Sequence, residues 1–360
     1  MMKKLVLISV LLTVAFACTF VFCTEKTVIP PKTIEQTVLD QVDSFSDVIS
    51  GVQNILTKRT LSEAQLQDLF LQSRIAYKRF EWAAEYFVPG TSRKVNGPPV
   101  QEVELPGNFV IEPSGLQVME GFLFPHYDST KRILLTYQLS SLLADCDNYR
   151  SFFRSNKMNN WQVFDAVKLE VFRIITLGIT GFDNPLTLRS MQESSASLES
   201  LRNVINHFAG TRNEKTLISK FDQAVGYLDS NSNFNSFNRM EFITEYANPI
   251  TIALSGLKQE LKAHSFKYNI LLNQDAKTLF DTNAFNANAY APDHSSFITP
   301  EKVSLGRKLF SDPILSGNNN RSCQSCHQPA KAFSDGLVKN TVIGKSDQLG
   351  RNTPSLINAA

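Results

Sequence analysis

Between Ile34 and about Lys277 the apolar residues return every three or four positions, a period that suits a helix and not a strand. Val38, Val42, Phe45, Val48, Ile49, Val52 and Leu56 describe one face of a helix over Ile34–Leu56. Ser62-Glu63 caps a second helix, which runs through Leu66, Leu69, Phe70, Ile75, Phe80 and Ala84 and stops at Pro89-Gly90. A loop rich in proline and glycine is expected over 90–113, with weak strand-like alternation at 100–111. Further helices are expected over 115–123, 129–153, 161–177, 186–208, 214–230, 239–255 and 256–272. The expected fold class is therefore all-α, with an N-terminal bundle over residues 30–280.

The period ends where composition shifts. Residues 281–298 are rich in asparagine, with Pro292, Asp293 and Ser295, and read as a linker. Thr299-Pro300-Glu301 then opens a helix, with Thr299 as cap and Pro300 at the first position. A second, smaller and mainly helical domain is expected over 299–360, and 360 residues leave room for both. The chain is 42% hydrophobic and 19% charged, a balance that excludes wholesale disorder and a polytopic membrane protein. A net charge of +2 without a long basic run excludes nucleic acid as an expected partner.

Residues 1–23 read as a secretory signal. Lys3 and Lys4 precede an apolar run from Leu5 to Phe22, which breaks at Thr24-Glu25-Lys26. Ala15-Phe16-Ala17 before Cys18 offers one cleavage site, and Cys23 offers a lipidated first residue. The run also approaches the length of an uncleaved anchor. Export to the periplasm or cell envelope is expected on each reading, with a membrane tether by lipid or by the N-terminus on two of them. Cys146 stands alone and reads as a small buried apolar residue.

Cys323-Gln324-Ser325-Cys326-His327 is the attachment pattern of a c-type haem. Two thiols three residues apart on a tight turn reach the two vinyl groups on one haem edge and form thioethers. The histidine that follows then lies beneath the iron as proximal ligand. A zinc or redox CxxC is the competing reading, but no second CxxC and no histidine cluster accompanies the motif.

The surroundings of this motif resemble the first haem domain of the bacterial di-haem cytochrome c peroxidase family, which includes the methylamine dehydrogenase maturase. The matching blocks are Leu305-Gly306-Arg307-Lys308-Leu309-Phe310, Asp312-Pro313-Ile314-Leu315-Ser316, Ser322 with the CxxCH, and Ala332-Phe333-Ser334-Asp335-Gly336. Gly350-Arg351-Asn352-Thr353-Pro354-Ser355-Leu356-Ile357-Asn358 completes them. In that family peroxide is reduced at the first haem, and a second haem domain downstream feeds it electrons. The resemblance thus implies a covalent haem c on Cys323, Cys326 and His327, with hydrogen peroxide as substrate. It also implies a small electron-donor protein, such as a cytochrome c or cupredoxin, and a calcium held in part by Asn352. Two departures matter. The chain reaches Ala360 before the family's distal acid and has no second CxxCH, so it reads as a fragment or truncated product and no catalytic residue is assigned. Classical members also have a histidine in the loop matching 344–350 that caps the first haem; here stand Lys345, Ser346, Asp347 and Gln348.

The helical domain resembles imelysin-like proteins, a helical family associated with iron uptake. The resemblance rests on Arg74, Tyr77 and Glu81 and on Gly115-Leu116-Gln117-Val118-Met119-Glu120. The latter parallels that family's GxHxxE pattern, in which His and Glu one turn apart share a metal. Gln117 stands in place of the histidine, and a neutral amide is a poor ligand. No tight metal site is therefore expected among Glu81, Gln117 and Glu120, and an ion pair of Arg74 with Glu81 or Glu120 is favoured instead. His126 reads as a surface turn residue, and His207 and His264 as helix-end cations. Three functions stay open: a periplasmic peroxidase, a mono-haem electron carrier, and a helical metal- or partner-binding envelope protein with a redox module. The carrier is disfavoured because no methionine follows Cys323 to act as sixth ligand.

Overall fold

The computed structural model describes residues 32–58, 62–104, 107, 109–266, 270–342, 344–349 and 352–357. The signal and lipidation readings at Lys3, Cys18 and Cys23 lie outside the described residues, as do Gly350, Arg351 and Asn358. Helices dominate, and the described strands are one short ribbon, so the chain is all-α with a cytochrome c-like C-terminal region.

Helix α1 (Ile34–Leu56) starts at a reciprocal cap. The Gln36 N–H donates to Thr33 Oγ1, and the Thr33 N–H donates to Gln36 Oε1 at 3.0 Å. Its apolar face, half-buried Val48 excepted, is buried as the period requires, against α2 (Glu63–Lys78) and α6 (Arg132–Ser155). Between α2 and α3 (Glu81–Phe87) the rod breaks at Arg79 and Phe80, although the hydrophobic period runs straight through. Phe80 turns into an aromatic cluster, edge-on to Tyr77 at 5.2 Å and to Tyr149 at 5.4 Å. The carbonyls of Lys78 and Arg79 at the break accept from the hydroxyls of Ser197 and Ser200 on α8 (Ser190–Ile205). Two of the buried serines of this helix thus satisfy a neighbour's orphan carbonyls.

Two expectations need correcting. The helix does stop ahead of Pro89-Gly90, but the pair then begins a further helix, α4 (Pro89–Asn96), in place of a loop. Proline suits a first turn, where its missing N–H has no partner to lose. The expected loop therefore shrinks to 97–115, and within it β1 (Glu102–Glu104) pairs antiparallel with β2 (Phe109–Ile111). Nor do residues 239–255 and 256–272 make two helices. Arg239–Glu241 leads through a π-helical stretch, Phe242–Ala247, into α10 (Asn248–Glu260), which ends there. Lys262 takes a left-handed φ of 51°, and the Ala263 N–H returns to the Lys258 carbonyl. The remaining helices are α5 (Leu116–Leu123), α7 (Asn160–Arg173, continued π-helically over Ile174–Gly178) and α9 (Arg212–Ser230).

The helical unit extends slightly past residue 280. Leu272 and Phe285 form an isolated bridge, the Asn286 N–H donates to the Leu271 carbonyl at 2.7 Å, and Ala284 is buried. Beyond it Thr299 accepts from the Lys302 N–H and caps α11 (Pro300–Ser311), none of whose residues is buried. Short 3-10 turns follow at Pro313–Leu315, Cys323–Ser325 and Pro329–Lys331. No helix among the described residues is long and apolar enough to cross a membrane.

Candidate haem site

The CxxCH is wound into a single turn. Ser322 and Ser325 cap one another, the Cys326 and His327 N–H groups both return to the Cys323 carbonyl, and both cysteines are free thiols. Gln324 between them points back to the preceding helix, where the Ser311 hydroxyl donates to its Oε1 at 2.5 Å. On the other side His327 Nδ1 lies 3.0 Å from the Phe333 carbonyl oxygen. A carbonyl can only accept, so Nδ1 carries the proton and donates, leaving Nε2 with a free lone pair for a metal.

That acceptor lies in a short loop. The Phe333 N–H donates to the Gln328 carbonyl at 2.9 Å, and the Gln328 N–H donates to the Ser334 carbonyl at 3.0 Å. Closing so short a loop forces Ala332 and Phe333 into left-handed conformations, with φ of 53° and 57°. Each costs about 1–3 kcal/mol in a residue with a Cβ and persists only where the surroundings hold it. The holders come from residues 352–357. Ser355 Oγ donates to the Ala332 carbonyl, and Thr353 Oγ1 donates to Asp335 Oδ2 at 2.8 Å. Asn340 Nδ2 donates to Thr353 Oγ1 at 2.7 Å. The Leu337 N–H and then the Thr353 hydroxyl hold the Asp335 carboxyl below the usual carboxylate range. Asp335 and Thr353 are both buried in a segment where little else is.

Apolar side chains around the motif are largely uncovered by protein: Val303, Leu305, Ile314, Leu315 and Leu337 are all about half exposed or more. Phe310 finds a ring partner in Phe333, edge-on at 6.0 Å. A segment with free paired thiols, an oriented imidazole and apolar side chains in excess of its own core fits a large flat apolar group such as haem. His294, in the one-turn helix His294–Ser296, rests edge-on against Phe297. Asn352 is exposed, and no group of three His, Cys, Asp or Glu side chains able to hold a metal ion occurs among the described residues.

The candidate residues of the helical unit meet a different environment. Arg74 forms a buried two-pronged pair with Glu193, Nε to Oε1 at 2.5 Å and Nη2 to Oε2 at 2.9 Å. The expected pairing with Glu81 or Glu120 is thus corrected. The break at Arg79 and Phe80 swings Glu81 to Lys78 at 2.6 Å and Arg173 at 3.2 Å. Glu120 instead accepts from the Leu186 and Thr187 N–H groups and the Thr187 hydroxyl ahead of α8. Gln117 Nε2 donates to the Asn96 carbonyl at 2.8 Å and approaches Asp183 Oδ1 at 3.5 Å. Gln117 and Glu81 therefore converge on one cluster, while Glu120 turns to another partner. Burial opposes the charge on Asp183, but Lys78 and Arg173 overcome it and lower its titration. Burial pushes Glu85 up to about 7, and burial together with Glu81 pushes Glu170 well up. Two cations already occupy the carboxylates, and the space left among them is about 10 Å³, enough for one water.

Fold and site together define a helical protein with a cytochrome c-like C-terminal region. Residues 300–360 match the family described as di-haem cytochrome c peroxidase. It is similar to methylamine utilization protein MauG of Methylorubrum extorquens, 46% identical over 63 residues, 18% of each chain. It is also similar to cytochrome-c peroxidase IdrP2 of Denitromonas iodatirespirans (48% over 59 residues, 16% of each chain). IdrP2 of a Pseudomonas species gives 41% over 61 residues, 17% of this chain and 16% of the relative. The chain thus spans less than a fifth of the length of these relatives.

Proposed function

We propose that the C-terminal segment carries one haem c, bound through thioethers at Cys323 and Cys326 with His327 as proximal ligand. The protein then serves as an exported, periplasmic oxidoreductase that reduces hydrogen peroxide with electrons from a small donor protein, a cytochrome c or cupredoxin. One observation carries the reading: the Phe333 carbonyl fixes the proton of His327 on Nδ1 and presents Nε2. When bound, the haem supplies the redox-active iron on which peroxide reduction depends. The protein's own residues fix the imidazole, provide two thiols in one turn, and offer apolar side chains to the porphyrin. Asn352 could contribute one oxygen to a calcium; among the described residues no group of three His, Cys, Asp or Glu side chains completes a cage, and no step is routed through calcium. The division into a 1–23 leader, an imelysin-like helical domain, a linker and the haem domain belongs to this proposal.

The test is expression with a c-type maturation system. One haem per chain should survive acid-acetone extraction, and Cys323→Ser with Cys326→Ser should abolish it. Extractable haem in the wild type, or unchanged retention in the double variant, would refute the attachment. A second reading, a mono-haem electron carrier, draws on the single CxxCH. Absence of any peroxide-dependent oxidation of a reduced donor would favour it.

A further inference from the structure

The proximal hydrogen bond depends on one backbone carbonyl in an intrinsically unfavourable loop, and the residues on both sides of that carbonyl are gripped from the same distant segment. Ser355 Oγ donates to the carbonyl of Ala332, immediately before Phe333. Thr353 Oγ1 donates at 2.8 Å to the side chain of Asp335, two residues after it. Thr353 is itself oriented, because Asn340 Nδ2 donates to its oxygen and leaves its hydrogen to Asp335. Lys331 Nζ, from the start of the loop, donates at 2.7 Å to the Asp335 carbonyl. Without these grips the left-handed pair Ala332-Phe333 would relax toward ordinary backbone angles, and the Phe333 carbonyl would swing away from the imidazole.

We propose that Thr353 and Ser355 are positioning residues for the proximal histidine: by clamping the loop on either side of Phe333 they hold its carbonyl on His327 Nδ1 and thereby set how electron-rich the iron's imidazole ligand is. The inference rests on the proposed haem attachment but not on peroxide turnover. A strong Nδ1–H to carbonyl bond gives the imidazole partial imidazolate character, which favours ferric over ferrous iron. Loosening the clamp should therefore raise the reduction potential and weaken the iron–histidine bond.

The experiment compares matured holoprotein of the wild type, Thr353→Val, Thr353→Ser and Ser355→Ala. It reads the midpoint potential by spectroelectrochemistry and the ferrous iron–histidine stretch by resonance Raman. Thr353→Val and Ser355→Ala should shift the potential upward and the stretch to lower frequency at equal haem content, while Thr353→Ser stays with the wild type. Should Thr353→Val fail to mature, Asp335→Ala replaces it, since it removes the acceptor of the Thr353 hydroxyl. A wild-type potential and stretch in the variants that hold haem would overturn the proposal and leave the clamp a purely structural role. Loss of covalent haem in the wild type would instead overturn the attachment on which it rests.

Discussion

His327 and Arg74 meet opposite electrostatic demands, and each is met by a partner that the local sequence does not reveal. As the proposed iron ligand the imidazole would have to stay neutral, and its Nδ1 donates to a backbone acceptor six residues on. The guanidinium must stay charged while buried, so it takes a carboxylate 119 residues away. The CxxCH was legible because chemistry fixes its spacing. The Arg74–Glu193 pair was not, because a tertiary contact between two helices has no period along the chain. Removing the acid while keeping the cation should be costly. Glu193→Ala is expected to destabilise the helical unit by about 3–5 kcal/mol, because it strands a buried charge. Urea unfolding followed by circular dichroism measures it, and a loss below 1 kcal/mol would show that Arg74 finds another partner among Glu120 and Asp183, whose charges it already feels.

At the scale of elements, strong periods with explicit caps read correctly, as Ser62 before α2 and Thr299 before α11 illustrate. Errors came where a break serves tertiary packing. Phe80 leaves the helical path to join Tyr77 and Tyr149, and Leu261 continues the apolar period of Leu254 and Leu257 just past the point where α10 ends. The break between α2 and α3 also gathers acids from α3 and α7 around Arg173: Glu85 at 3.2 Å, Glu81 at 3.2 Å and Glu170 at 3.6 Å. Three carboxylates share one guanidinium, so at least one holds its proton unusually late. Glu85 goes from an ordinary 4.5 in the unfolded chain to about 7 in the fold. Between those values the folded state binds more protons than the unfolded state, so stability is full below 4.5 and falls as pH rises through 7. Glu170 adds to the same fall. Glu85→Gln should remove up to one proton from the slope, at most about 1.4 kcal/mol per pH unit. Urea midpoints between pH 4.5 and 8 that decline equally in both proteins would contradict this.

For the whole molecule, the helical unit is closed by its own core and by residues 270–286 folded back upon it, whereas the described residues of the C-terminal segment form almost no apolar core of their own. Residues 32–286 should therefore fold alone as a mainly helical protein with a cooperative thermal transition; a largely disordered spectrum would count against it. The haem segment should order fully only with its prosthetic group in place, and its electronic state then depends on what stands opposite His327. Residues 344–349 offer no histidine or methionine, only Lys345, Ser346, Asp347 and Gln348. Of these Lys345 alone has a nitrogen that could bind iron, and an ammonium has no lone pair to offer. The ferric holoprotein at pH 7 is accordingly expected to be high-spin and to bind cyanide or peroxide without prior reduction. Fast turnover asks for more, because peroxide reduction consumes two electrons and this chain's single CxxCH provides for one haem. Each cycle of the 360-residue chain should then wait on two successive encounters with its donor. Rapid-scan spectroscopy should give fast peroxide binding, and steady-state assays a rate well below that of an enzyme with two haems. A low-spin ferric spectrum at pH 7 would mean that a strong ligand reaches the iron after all, and a full peroxidase rate would mean that one haem suffices.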